Sequence, residues 1–140
     1  MAAVGCASSY QPRADARVGV VIRHGSIAYT KNGHETPVGP FGGDLEALVA
    51  DAPAATPLAR RARHELEAGV PMYVGGLGGV VVGLLVLSGP VGWIVIGVGA
   101  ATGGTGLCLM GAGVTNGIDA VNVHNDALLP SVSRAALPTR

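Results

Sequence analysis

Four histidines, two cysteines and a close pair of carboxylates are the residues of this 140-residue chain whose types could carry metal, nucleophilic or acid–base chemistry. His24, His34, His64 and His124 stand far apart, with no HxxxH pair and no CxxC, so no metal ligand set takes shape. Each reads as a loop or surface histidine. Glu65 and Glu67 are two residues apart, and on a helix they point in different directions. Serines are present without a Gly-x-Ser-x-Gly elbow. The glycine-rich runs 75–79 and 97–99 resemble phosphate loops only in composition, because no P-loop lysine accompanies them. The sequence therefore supports no enzyme, no catalytic residue, no metal and no cofactor. Nine basic and nine acidic side chains cancel to zero net charge, and without a basic cluster nucleic acid is excluded as a partner.

The elements that would position any site are set by where charge is missing. Between Glu67 and Asp119 there is no Asp, Glu, Lys, Arg or His, a gap that runs from residue 68 to residue 118. A membrane-spanning helix needs ~20 mostly apolar residues, so the gap accommodates two spans and a connection. Ser88-Gly89-Pro90 supplies the turn. The expectation is a mainly α membrane protein: a transmembrane hairpin over 69–113, with spans near 70–87 and 91–112. As a soluble hairpin, such helices would need covering on every face, which the residues outside the gap could hardly provide. Trp93, just past the turn, and Tyr73, near the entry, are expected at opposite interfaces. With no ionisable group inside either span, ion coupling and proton relay are demoted.

Glycine makes up 23 residues. Gly75, Gly79 and Gly83 recur every fourth residue and predict one small face on the first span. Gly99, Gly103 and Gly111 continue the pattern on the second, beside the row Ala100, Gly104, Cys108 and Ala112. Helices in lipid associate by close backbone approach, so these rows predict a glycine zipper. It would close the hairpin on itself or join it to a second copy or to other membrane helices. The outer face of the first span (Val80, Val81, Leu84, Leu85) is left for acyl chains.

Outside the gap, residues 1–16 read as a tail. Residues 17–43 read as a small β-meander, built on β-branched runs with a type I′ turn at Asn32-Gly33 and a weak third strand near Pro37. Residues 44–68 predict two short helices, the first capped by Asp44 and the second started by Thr56-Pro57 and lying at the headgroups or on a solvated surface. Residues 114–140 read as a polar tail.

Gly5-Cys6, followed by a polar run, resembles the lipobox of bacterial lipoproteins, in which the Cys becomes lipidated. With the glycine-rich hairpin and the ending Asp119-Ala120-Val121-Asn122, then His124-Asn125, the chain resembles uncharacterised envelope lipoproteins of Gram-negative bacteria. The resemblance implies lipidation of Cys6, which requires a longer apolar leader than the five residues before it. It also implies a location in the bacterial cell envelope, and no activity. Arg60, Arg61 and Arg63 before the first span favour a cytoplasmic flank, whereas a lipidated Cys6 favours the other side, so inner and outer membrane both stay open. The expected role is structural or interactive, with the lipid bilayer and a homo-oligomer or other membrane helices as partners. An oligomeric pore or membrane-perturbing protein built on the same hairpin is the alternative.

Overall fold

A computed structural model describes residues 16–129 apart from His24. The chain is mostly helical, with two long apolar helices and a small antiparallel sheet at its N-terminal end. Strands β1 (Gly19–Arg23), β2 (Ser26–Lys31) and β3 (His34–Pro37) form the sheet in the order β1-β2-β3. Lys31 pairs with His34 across the second hairpin, and both intervening residues take positive φ (Asn32 52°, Gly33 77°). That is the type I′ geometry which Asn-Gly adopts at little steric cost.

Helix α1 (Leu45–Leu48) is a single turn, and Asp44 precedes it without a side-chain capping bond, contrary to the expected cap. Helix α2 (Thr56–Leu85) begins at Thr56-Pro57 and runs unbroken into the apolar segment. The expected headgroup helix and first span are thus one rod of about 45 Å at ~1.5 Å per residue. Pro71 sits inside it, exposed, and removes one backbone donor without ending the helix. At the break Ser88 is extended and Gly89 has φ 70°, a conformation that suits glycine.

Helix α3 (Gly89–Ala127) runs fifteen residues past the predicted end of the span at 112, so the segment from 114 to 127 is helix where a polar tail is expected from the sequence. The reason is packing. Gly113, Gly117, Ala120, Val121 and His124 recur at three- and four-residue steps and are all buried, while Asp119, Asn122 and Asp126 face outward. This buried stripe joins Val18, Leu45, Val49, Ala52, Ala55 and Ala59 in a small core between sheet, α1 and the lower ends of both long helices. The molecule thus divides along its length. One end is an ordinary packed cap, and the other is a bare helical hairpin.

Candidate functional site

The two long helices meet along glycine backbone, with few side chains between them. Small residues recur every seventh position on α2 (Ala62, Gly69, Gly76, Gly83) and on α3 (Gly92, Gly99, Gly106, Gly113, Ala120). They meet in antiparallel layers. A Cβ placed on Gly69 would lie 2.9 Å from the Gly106 carbonyl oxygen, and one on Gly106 2.7 Å from that of Gly69. The next layer repeats this, with a Cβ on Gly76 2.6 Å from the Gly99 oxygen and one on Gly99 2.8 Å from the Gly76 oxygen. Gly83 and Gly92 form the layer nearest the turn, where a Cβ on either would lie 3.0 or 3.1 Å from the other's carbonyl oxygen, and at the other end a Cβ on Gly113 would lie 3.0 Å from the Ala62 oxygen. A real Cβ does not fit at such distances from backbone atoms, so the helices approach this closely only because glycine is present. A seven-residue repeat keeps such a seam facing its partner when the helices coil left-handedly.

This register differs from the four-residue one expected. Gly83 and Gly99 lie in the seam, a Cβ on Gly79 would come within 3.3 Å of the Gly99 Cα, and one on Gly103 would lie at an ordinary 3.7 Å from Gly76. Gly75, Gly104 and Gly111 point outward, where a Cβ would meet nothing within 4 Å. The physical cause is the helical drift. Steps of four residues rotate around a 3.6-residue helix, whereas steps of seven stay on the line of contact between two coiled helices. Gly76 and Gly106, which lie outside the four-residue rows, are thus on the contact line together with Gly69, Gly92 and Gly113, and the seven-residue spacing is present in both segments.

With glycine inside, the large apolar side chains are outside. Val74, Leu84, Leu85, Trp93, Ile94 and Val98 are all exposed, Leu85 by 80% and Trp93 by 73%. Both helices are long and apolar enough to cross a membrane. From the Gly69–Gly106 layer to the turn the hairpin rises roughly 25 Å, close to the ~30 Å hydrocarbon core of a bilayer. Thr105 and Thr115, which face outward, turn their hydroxyls back onto the carbonyls of Ala101 (2.9 Å) and Gly111 (3.0 Å). Their donors are thereby satisfied within the helix. On the cap side, Asn116 donates to Glu65 across the two helices at 2.7 Å.

The cap carries a polar cluster that sequence reasoning missed. His124 is fully buried rather than at the surface, with Nε2 3.0 Å from Asp51 Oδ1 and 3.2 Å from Lys31 Nζ. Lys31 also donates to Asp51 at 2.9 Å and to the Leu48 carbonyl. The Asp51 carboxyl is held below its usual range, first by the Lys31 hydrogen bond and further by that of His124. Next to this cluster, the Asn125 carboxamide accepts from Val18 N–H and donates to Val18 C=O, both at 2.9 Å, in the manner of a neighbouring strand. Lys31 and His124 are thus fully engaged with protein groups. The cluster ties the sheet, the α1–α2 connection and the end of α3 together, with the Asp51 side chain half exposed at its edge. His34 and His64 are exposed. Arg60 grips Glu46 of α1 through Nε (3.0 Å) and Nη2 (2.6 Å), lowering the Glu46 carboxyl. On an exposed surface that pair adds little stability.

Cys6 and His24 lie outside the described residues. Among the described residues, Cys108 is a free, exposed thiol, and no group of three or more His, Cys, Asp or Glu could hold a metal ion. No protein family, curated protein or solved structure matches the chain.

Proposed function

We propose that this chain is a small envelope membrane protein whose hairpin spans the bilayer and which acts structurally, as an association module. The observation that carries the reading is the inverted packing of the hairpin. Glycine backbones fill the contact while valine, leucine, isoleucine and tryptophan face outward. In water this arrangement lacks a driving force, because a glycine seam removes almost no apolar side chain from solvent. In lipid, outward apolar residues cost nothing and close backbone approach is what holds helices together. Both facts favour hydrocarbon.

A second small-residue seam gives the association a face. Gly97, Ala101, Gly104, Cys108, Gly111 and Thr115 alternate steps of four and three along α3, and all are exposed. They form the same kind of line that joins α2 to α3, turned away from it, and a second copy is the natural partner. Cys108 lies on this line and reports on it. In membranes of a Cys6→Ser chain, mild oxidation is expected to yield a disulfide-linked dimer. Cys108→Ser should abolish the dimer, and Gly104→Leu should reduce it at least five-fold while leaving the intramolecular seam intact. A chain that stays monomeric under these conditions contradicts self-association. Cooperative dye release from vesicles would instead favour the pore.

A further inference from the structure

Beside the lower end of the hairpin, the sheet and the two long helices enclose an apolar groove of about 520 Å³, in the ~300–1,000 Å³ range of small-molecule sites. Val20, Ile27 and Phe41 line one wall, and Leu66, Met110 and Val114 line the other. The groove is a wedge. At its closed end Val18 is bonded to Asn125, and Tyr29 Oη lies 3.8 Å from a Cβ position on Gly117. Val20 pairs with Tyr29 and Ile22 with Ile27, so the sheet continues from that end alongside the helices, past the level of Gly117 toward Met110. There its side chains lose cover. Val20 is 52% exposed, Ile22 60%, Ile27 49% and Phe41 43%. These are large apolar groups, none with a partner wall close enough to bury it.

The open end of the wedge faces the uncharged part of the hairpin. Leu66 and Met110 lie next to the Gly69–Gly106 layer, where the charge-free surface begins. On the reading that the hairpin spans a bilayer, we propose that this groove holds one acyl chain of a glycerophospholipid from the adjacent leaflet. Several features select that occupant. The walls are apolar almost throughout. The rim carries charge of both signs, Asp44 and Glu46 beside Arg63, with Glu46 bonded to Arg60 and Arg63 to Glu67 at 2.7 Å, a mixed-charge border of the kind a zwitterionic headgroup meets. The cavity is also continuous with the surface that acyl chains would already cover.

The test is photolabelling of the full chain in phosphatidylcholine vesicles that contain a trace of phosphatidylcholine with a diazirine on its acyl chain. Adducts are expected on the hairpin (Val74, Val98) and in the groove (Val20, Ile27, Phe41). Ile27→Glu should cut groove adducts at least ten-fold relative to hairpin adducts in the same sample. Val20→Asn is the second variant, and both positions are exposed enough to accept a polar side chain without unfolding the cap. Hairpin adducts without groove adducts overturn the lipid site and leave the membrane reading standing. Absence of both overturns the membrane reading as well. Groove labelling that rises sharply in Cys6→Ser identifies a Cys6-linked acyl chain as the occupant, and that also overturns the proposal.

Discussion

Gly76→Leu is expected to separate the two long helices, whereas Gly75→Leu one residue away is expected to leave them paired. At Gly76 even a Cβ would lie 2.6 Å from the Gly99 carbonyl oxygen and still closer to the backbone of Gly103. Overfilling a packed contact typically costs ~1–3 kcal/mol when side chains can move aside. Here the obstacles are main-chain atoms of a helix, so the hairpin must open by the width of a side chain. The loss should reach at least ~3 kcal/mol. At Gly75 a Cβ meets nothing within 4 Å, and helix propensity alone makes Gly75→Ala neutral or favourable by up to ~1 kcal/mol. Thermal melting in detergent reads both effects. Equal responses at positions 75 and 76 would contradict the seven-residue seam.

His124→Ala is expected to detach the cap while the hairpin stays closed. The ring is 0% exposed and is the largest fully buried side chain among the described residues, and its Nε2 meets Asp51 and Lys31. Truncation leaves a cavity and strips partners from two charged groups, for an expected loss of ~2–4 kcal/mol. Because these contacts join β2, the α1–α2 connection and the end of α3, the damage is local. Amide exchange should accelerate at least ten-fold in β2 and in residues 44–55, with residues 76–99 unchanged. His34→Ala, at an exposed site, is the control and should change neither. Faster exchange throughout the hairpin would show that cap and hairpin fold as one unit instead.

What could be read from the sequence was local, and what could not was the pairing of distant residues. The meander was legible because Asn32-Gly33 dictates its own turn and β-branched residues flank it. The break before Gly89-Pro90 was equally self-announcing. Glycine register was not. Spacings of four and seven coexist in both segments, and only the partner helix decides which lies on the contact line. Matching Gly69, Gly76 and Gly83 against Gly106, Gly99 and Gly92 would have revealed a common seven-residue repeat, the signal for a closely packed antiparallel pair. The end of α3 was hidden for a related reason. Asp119, Asn122 and Asp126 gave it a polar look, while the buried stripe of Gly117, Ala120, Val121 and His124 acquires meaning only against Leu45, Val49 and Ala55. His124 could not be distinguished from a surface histidine because its partners Asp51 and Lys31 lie 73 and 93 residues away.

Transmembrane insertion of the hairpin is the claim on which the rest depends, and Trp93 tests it most directly. It is the single tryptophan of the chain, it sits four residues past the break before α3, and 73% of its surface is uncovered by the protein. Strong shielding from water would therefore come from outside the described residues, as a bilayer would supply it. The measurement is quenching of Trp93 fluorescence by phosphatidylcholine brominated at a series of acyl positions, with the full chain reconstituted in vesicles. The account predicts blue-shifted emission and strong quenching, greatest for bromines near the glycerol end of the acyl chain, as befits a residue near the far interface. Emission characteristic of water, unaffected by bromine at any depth, would contradict it.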